Sequence, residues 1–322
     1  MGKLACVFPG QGSQSVGMGF DLFTAHHAAR EVFEQVDACA EQSLSKLCFE
    51  GPEAELKRTI NTQPTILAAS LAAWAAYKAA GGLQPDFVAG HSLGEFTALV
   101  ACESLSLNDA VLLVKKRAEL MEDCAKGAMS AVLGVPAEKL EEVCKEASAV
   151  LKGEGLPEND CVVIVANFNT RDQLVISGSP TAVAKAGELA KAAGGKVIPL
   201  PVGGAFHSPL MVPAAKVFAQ ALEQATFADP KASIVQNFDA MPTKSAQEVR
   251  SKLTQQMDHA VRWYASVEYM ISQGVDTFVE IGPGKVLVGT IKKIDKNCKL
   301  FNVNDAASLQ VTIDGLKQLV AI

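Results

Sequence analysis

Residues 90–95 (GHSLGE) form a G-x-S-x-G pattern directly after a strand-like run over 86–89. This pattern is typical of a nucleophile elbow, a strand-to-helix turn so sharp that only small residues fit on either side of the serine. Such a turn exposes Ser92 at a helix N-terminus, where unpaired N–H groups and the helix dipole stabilise negative charge. The pattern therefore predicts a nucleophilic serine. The alternative is a capping box in which Ser92 and Glu95 only open a helix over 93–101.

A serine hydroxyl is a weak nucleophile until a base removes its proton, so a functional Ser92 requires a histidine. The chain has five histidines. Four fit poorly, because they lie inside the elbow, in an apparent surface helix or in a stretch between two helices. His207 remains, in a glycine-rich loop at a predicted junction between domains, where clefts commonly form. We expect His207 to be the base, and a structural loop histidine is the alternative.

Arg117 lies on the apolar face of a helix predicted over 107–124. A guanidinium on the face that packs against the core is costly unless an anion pairs with it. The parallel N–H donors of an arginine suit a carboxylate. Arg117 and Ser92 together therefore predict a substrate whose acyl group carries a carboxylate. A buried salt bridge, or a stem that reaches solvent, is the alternative. On a helical wheel, five apolar residues fall within about 60° of Arg117: Ala110, Leu113, Val114, Leu120 and Met121.

A glycine-rich loop over 9–14 follows the first predicted strand. It lacks the third glycine of a dinucleotide-binding fingerprint, because Ser15 stands there, and no Walker A lysine follows. Elbow enzymes commonly take one oxyanion-hole N–H from the residue after the nucleophile, here Leu93, and another from a loop after a different strand. We therefore expect the loop to complete an oxyanion hole.

Composition excludes several classes of protein. The 322 residues have a formal net charge of −6 with no block of like charge, which argues against nucleic acid as a partner. Eight cysteines are scattered without a C-x-x-C pair or a cluster at ligand spacing, so we expect reduced thiols and no metal. The longest apolar stretch, 66–77, is too short to span a bilayer, so we expect no membrane partner. Because 4–8 already has the pattern of a core strand, we expect no signal peptide.

Strand and helix patterns alternate in the first and last parts of the chain, which indicates an α/β fold with a parallel sheet covered by helices. The middle part differs, because its strands and helices follow the order βαββαβ, a ferredoxin-like pattern. We therefore predict a discontinuous catalytic domain, 1–127 and 203–322, and an inserted ferredoxin-like domain, 128–202. The predicted strands are 4–8, 87–89, 129–135, 161–167, 173–177, 196–201, 233–238, 277–281 and 299–303, and the helices include 21–47, 63–80, 136–150 and 181–193.

Six motifs occur in order along nearly the whole chain: 8–14 (FPGQGSQ), 62–64 (TQP), 90–95 (GHSLGE), Arg117, 205–208 (AFHS) and 280–285 (EIGPGK). Together they resemble the malonyl-CoA:acyl carrier protein transacylases of type II fatty acid synthesis. This resemblance implies an α/β-hydrolase-like large domain with a ferredoxin-like insertion.

The resemblance also implies site residues and a reaction. Ser92 would take malonyl from malonyl-CoA as an ester, with His207 as general base and then acid. The phosphopantetheine thiol of acyl carrier protein would attack that ester, giving ping-pong kinetics. Backbone N–H groups of Gln11 and Leu93 would form the oxyanion hole, and Arg117 would bind the malonyl carboxylate.

Five further positions are implied in the same way. The family holds its histidine with a backbone carbonyl, which alignment places at Gln256. Gln63 and Met121 match positions that line the family pocket, and we expect Asn167, at the end of a strand of the inserted domain, to face the same pocket. In related polyketide synthase domains an aromatic residue before the catalytic histidine accompanies malonyl and a small residue accompanies methylmalonyl, so Phe206 predicts a preference for malonyl.

The resemblance implies a transient complex with acyl carrier protein and no cofactor besides the substrates. We expect a monomer that is cytoplasmic if the source is bacterial, or in a plastid or mitochondrion if a transit peptide preceded residue 1. The first alternative is a serine carboxylesterase or thioesterase of the α/β-hydrolase type, with Arg117 structural. A domain excised from a larger synthase is the second, although the chain begins at one core strand and ends soon after another. A binding module without chemistry is the third, and the joint presence of Ser92, His207 and Arg117 argues against it.

Overall fold

The computed structural model describes residues 2–124 and 126–321. Within them, ten strands form two sheets. The strands are β1 Lys3–Phe8, β2 Phe87–Gly90, β3 Ala128–Leu133, β4 Val163–Phe168, β5 Gln173–Gly178, β6 Lys196–Pro199, β7 Ser233–Val235, β8 Pro242–Thr243, β9 Val275–Ile281 and β10 Lys299–Val303.

Fourteen α-helices lie in the same described ranges, and none of them is long and apolar enough to cross a membrane. The helices are α1 Phe20–Ala25, α2 His27–Ala40, α3 Leu44–Glu50, α4 Glu53–Leu56, α5 Thr59–Ala79, α6 Gly94–Ala101, α7 Leu107–Asp123, α8 Ala137–Gly153, α9 Pro180–Ala192, α10 Val212–Gln224, α11 Ala246–Gln256, α12 Trp263–Ser272, α13 Val286–Ile294 and α14 Ala306–Val320.

The larger sheet has the strand order β10-β9-β1-β2-β7-β8. Its first five strands pair in parallel, so the predicted α/β fold with a parallel sheet is confirmed. Along β1, Cys6 and Phe8 pack into one hydrophobic cluster and Ala5 and Val7 into another, as expected for a sheet covered on both faces. Phe8 lies beside Gly90 at the ends of β1 and β2. The loop 9–14 and the elbow therefore leave the same edge of the sheet.

The larger sheet and the helices that cover it are called the larger unit below, and two of its details differ from the sequence prediction. The sheet is not wholly parallel, because the two-residue β8 runs antiparallel to β7. The region 21–47 is not one helix but three, since α1 ends at Ala25 and α2 ends where Glu41 adopts a left-handed φ of 51°. Glycine or asparagine usually marks such a helix end, and a glutamate gives no such signal.

The smaller sheet is antiparallel, in the order β4-β5-β3-β6. Its strands and the helices α8 and α9 follow one another as β, α, β, β, α, β. Alternate residues point to opposite faces: Val132 and Ile176 pack in the cluster with α8 and α9, whereas Met129 and Val175 pack in the main core. The second face of this sheet therefore forms a wall against the larger unit.

Main-chain hydrogen bonds hold the smaller sheet against the rest of the protein. The N–H of Gly127 donates to the carbonyl of Gly203 at 3.0 Å, so the segments that lead into and out of the smaller sheet are paired. The N–H of Val261 donates to Ala166 O at 2.8 Å, and the N–H of Phe168 donates back to Val261 O at 2.9 Å. These bonds with Val261 fix the end of β4, where Asn167 lies, beside the segment between α11 and α12.

Candidate active site

Ser92 lies in the sharp turn between β2 and α6, with a left-handed φ of 52°. Asn237 holds this turn, because its side-chain oxygen accepts the Ser92 N–H at 2.6 Å and its side-chain nitrogen donates to Gly90 O at 2.6 Å. The glycines are required sterically. A Cβ on Gly90 would lie 1.9 Å from the Gly94 carbonyl carbon, and one on Gly94 would lie 2.0 Å from Phe8 O.

The capping-box interpretation of Ser92 and Glu95 is wrong. α6 begins at Gly94 and has no side-chain cap. The Glu95 side chain points into the protein, where it is 0% exposed and accepts hydrogen bonds from residues of other elements. The Ser92 hydroxyl instead faces a histidine.

His207 Nε2 lies 2.7 Å from Ser92 Oγ. The other ring nitrogen, Nδ1, lies 2.9 Å from the backbone carbonyl oxygen of Gln256. Because a carbonyl can only accept, Nδ1 bears the proton and the lone pair of Nε2 faces the serine. The ring is buried, with His207 only 4% exposed. The structure thus brings the predicted serine, histidine and orienting carbonyl together.

Burial lowers the pKa of His207 to about 3, with the positive charge of Arg117 as the second cause. The imidazole is therefore uncharged at neutral pH and can accept a proton from the serine. His91, inside the elbow, pairs instead with Asn169, whose Oδ1 lies 2.8 Å from His91 Nε2. Burial lowers the pKa of His91 as well.

Arg117 on α7 is 1% exposed. Its Nη2 donates to Ser92 Oγ and to Gln256 Oε1, both at 3.0 Å, and its Nη1 donates to Gln63 Oε1. Within residues 2–124 and 126–321 no carboxylate forms a salt bridge with it, and its Nε–H is buried without an acceptor. Neither alternative for this residue, a buried salt bridge or a stem reaching solvent, is observed.

The guanidinium of Arg117 keeps its charge in this environment. Burial lowers the pKa of Arg117 to about 10, and the negative charge of Glu95 opposes this shift. Arg117 is therefore protonated at neutral pH, next to the serine and with an unused donor. An arginine in this state is suited to binding an anion.

Two backbone N–H groups near Ser92 are available to a ligand. In the described ranges, no carbonyl or side chain accepts a hydrogen bond from the N–H of Gln11 or of Leu93. Gln11 belongs to the loop after β1, and Leu93 immediately precedes α6. The Gln11 side chain is directed to Thr59, whose Oγ1 it approaches at 3.4 Å.

A cavity of about 160 Å³ lies beside Ser92, with walls from the smaller sheet, from α7 and from the loops around the elbow. Of the residues predicted to line it, Met121, Phe206 and Asn167 do, but Gln63 does not. Gln63 is fully buried behind the guanidinium of Arg117. Among the described residues, no group of three or more potential metal ligands is present. The remaining walls include Gln11, His207, Met129, Val175, Leu200 and Val202.

Residues 5–312 match the acyl transferase domain family. The chain is 41% identical over 322 residues to malonyl CoA-acyl carrier protein transacylase of Bacillus subtilis, covering 99% of this chain and 98% of that protein. It belongs to the malonyl-CoA:acyl carrier protein transacylase family. The resemblance inferred from the sequence motifs is thus confirmed.

Solved structures of transacylases have the same fold. An acyl-carrier-protein S-malonyltransferase from Burkholderia pseudomallei superposes with a TM-score of 0.91 at 40% identity, covering 97% of this chain and 99% of that one. A malonyl-transacylase in complex with its type II polyketide synthase acyl-carrier protein also gives 0.91, at 39% identity and the same coverage.

Sequence reasoning missed several residues of this transacylase site. Gln236 and Asn237 follow β7 and turn toward the elbow, although the sequence predicted a strand continuing to 238. Two adjacent amides at the end of a parallel strand are a signal that was available, since such ends form ligand sites in open α/β sheets. Gln256 contributes its side chain as well as the predicted carbonyl.

Proposed function

We propose that this protein transfers a malonyl group from malonyl-CoA to the phosphopantetheine thiol of acyl carrier protein through an ester on Ser92. The observation that most supports this is the buried guanidinium of Arg117, 3.0 Å from Ser92 Oγ, because it provides a binding group for a carboxylate on the serine-bound acyl chain. The names of the relatives, and the complex of one of them with an acyl-carrier protein, support the same activity.

In the first half-reaction, neutral His207 accepts the proton of Ser92 as Oγ attacks the thioester carbonyl carbon of malonyl-CoA. The tetrahedral intermediate collapses, the carbon–sulfur bond breaks, and imidazolium returns the proton to the departing thiolate. Coenzyme A leaves as a thiol, and malonyl remains as an ester on Ser92. The hydrogen bond from Nδ1–H to Gln256 O supports this role, because it keeps Nε2 directed at the serine.

The second half-reaction is the reverse with a different thiol. The phosphopantetheine thiol gives its proton to His207 and attacks the ester carbon, and Ser92 Oγ recovers a proton as the carbon–oxygen bond breaks. The enzyme thus alternates between its free form and the malonyl ester on Ser92, which gives ping-pong kinetics. The reaction needs no cofactor besides these substrates.

Gln11 and Leu93 are proposed to hold the oxyanion of both tetrahedral intermediates with their backbone N–H groups. Two observations support this proposal: neither N–H has an acceptor within the described residues, and the loops that contain them leave the same edge of the sheet. Donors fixed by the backbone need no reorganisation when the charge develops.

Phe206 is proposed to select malonyl over methylmalonyl. Its ring lines the cavity immediately before His207 in the chain and is 5% exposed. Met121 and Asn167 are proposed to line the acyl site with it. Gln63 is proposed to act through Arg117, because its Oε1 accepts a hydrogen bond from Arg117 Nη1. An additional methyl group on the acyl chain would have to fit between these walls.

The larger unit is proposed to be an α/β-hydrolase-like domain, 1–127 and 203–322, and the smaller one a ferredoxin-like domain, 128–202. Separate hydrophobic clusters and the βαββαβ order of the smaller unit support this division. Acyl carrier protein is proposed to bind a monomer transiently. The bacterial source of the named relatives supports a cytoplasmic protein rather than one from a plastid or mitochondrion.

The test is intact-protein mass spectrometry after mixing with malonyl-CoA. We expect a malonyl adduct that maps to Ser92, is absent in Ser92→Ala, and is discharged quickly by holo acyl carrier protein but slowly by water. Fast discharge by water alone would instead identify a thioesterase. Apo acyl carrier protein, which lacks the thiol, is the matched control and should leave the adduct in place.

A further inference from the structure

Glu95 is a buried acid that the mechanism above does not use. It is 0% exposed and accepts three hydrogen bonds: from Gln236 Nε2 at 3.0 Å, from the Asn237 N–H at 2.9 Å and from Gln256 Nε2 at 3.2 Å. Gln236 Nε2 also donates to the carbonyl of Val249 at 3.2 Å, which fixes the orientation of that amide. Burial raises the pKa of Glu95, and the three donors together with the positive charge of Arg117 oppose this shift and favour the ionised carboxylate.

The side-chain amide of Gln256 connects Glu95 to Arg117. Its Oε1 accepts from Arg117 Nη2 at 3.0 Å, and its Nε2 donates to Ser92 O at 2.7 Å as well as to Glu95. Arginine can only donate and a carbonyl can only accept, so the amide has one possible orientation. Its positive end faces the carboxylate and its negative end faces the guanidinium.

This arrangement explains how a charged arginine remains in the core before substrate binds. Arg117 has no directly bound carboxylate in the described part of the chain, and the charge of Glu95 acts on it. Charges interact over longer distances in a protein interior than in water, because the interior screens them less. The polarised amide between them adds to that attraction.

We propose that Glu95 is a positioning residue, which through the side-chain amide of Gln256 directs the Arg117 guanidinium toward the acyl site and so sets the preference for a carboxylated acyl group. This inference rests on the proposed function, since it concerns the malonyl carboxylate. The Glu95 carboxylate forms no hydrogen bond with Ser92 Oγ or with His207. Its loss should therefore affect malonyl more than acetyl, which has no carboxylate for Arg117 to bind.

The experiment compares Glu95→Gln with the native chain in the rate of Ser92 acylation by malonyl-CoA and by acetyl-CoA, followed by intact mass. We expect the ratio of the malonyl rate to the acetyl rate to fall at least tenfold. Glu280→Gln is the matched control, because Glu280 is equally buried but accepts from the N–H groups of Leu287 and Val288 at the start of α13. It should leave the ratio unchanged.

A second variant tests the connection itself and does not depend on Glu95→Gln folding. Gln256→Met keeps the backbone carbonyl that holds His207 but removes the amide, and we expect a similar fall in the ratio. In the double variant with Glu95→Gln the ratio should fall no further. A tenfold additional fall would show that Glu95 acts by another route and would overturn the role of Gln256.

Failure of the inference can be told apart from failure of the proposed function. If the native chain forms no malonyl adduct that holo acyl carrier protein discharges, the proposed function fails. If it does form one, and the folded Glu95→Gln and Gln256→Met variants keep the native ratio of malonyl to acetyl rates, only the inference is overturned.

Discussion

Replacing Arg117 with methionine separates the two roles that a buried arginine can have. Methionine keeps an unbranched stem of similar length in the space beside Phe96, whose ring centroid lies 5.8 Å from the Arg117 guanidinium carbon. It removes the charge and every N–H donor. The amide oxygens of Gln63 and Gln256 and the hydroxyl of Ser92 then lose the donor that they share.

These losses divide into a part common to all acyl groups and a part specific to malonyl. Each buried amide oxygen left without a donor costs about 1–3 kcal/mol, which lowers the free energy of unfolding and affects every substrate alike. Two charge-assisted hydrogen bonds to the malonyl carboxylate contribute about 1.5–3 kcal/mol each, roughly 3–6 kcal/mol together. Since about 1.4 kcal/mol corresponds to a factor of ten in rate, the malonyl-to-acetyl ratio should fall roughly 10²- to 10⁴-fold.

The assay measures acylation of Ser92 by malonyl-CoA and by acetyl-CoA under single-turnover conditions, together with urea denaturation of each variant. Arg250→Met is the matched control, because Arg250 also lies over an aromatic ring, that of Phe227, but within residues 2–124 and 126–321 it donates only to Ala225 O. It should leave the ratio of rates unchanged. An equal fall of both rates in Arg117→Met would refute the reasoning, because Arg117 would then be structural.

Three further outcomes are expected. Phe206→Ser should increase acylation by methylmalonyl-CoA about tenfold relative to malonyl-CoA, because it makes room for one methyl group; an unchanged ratio in the mass assay would contradict the steric argument. Asn237→Ala should lower the free energy of unfolding in urea by about 3 kcal/mol, because the Ser92 N–H and Gly90 O lose their partner, and it should slow malonyl and acetyl transfer equally. Because the pKa of His207 is about 3 rather than the ordinary 6.5, the rate of malonylation should stay level from about pH 8 to about pH 5; a decline centred near the ordinary value would show that the histidine is not desolvated.

The parts of the site that could be predicted from sequence are those in which residue type and spacing have a single physical explanation. At Gly90 and Gly94 the backbone of neighbouring segments comes so close that no side chain would fit, and this requirement for glycine makes the elbow recognisable in the sequence. Arg117 interrupts an apolar helical face, and the structure finds it 1% exposed. The same reasoning predicted the α/β class, because alternating strands and helices leave a clear pattern.

The remaining parts depend on contacts between distant segments. Asn237 meets Ser92 across 145 residues of chain, and although two adjacent amides after a strand indicate a ligand site, they do not show that one of them holds the turn at Ser92. Gln256 ends α11, and its position in the helix does not show that its amide meets both Glu95 and Arg117. The break between α2 and α3 depends on a left-handed Glu41, which helix propensities do not predict.

The closeness of Arg117 to His207 has a consequence for the order of events in a catalytic cycle. The charge of Arg117 is the second cause of the low pKa of His207, and a malonyl carboxylate bound to Arg117 would neutralise that charge. The loaded acyl group would then make the histidine a stronger base at the moment when it must deprotonate the incoming thiol. An acetyl ester, which has no carboxylate, would leave the histidine weak. Discrimination would thus operate twice, once when the serine is loaded and again when it is discharged.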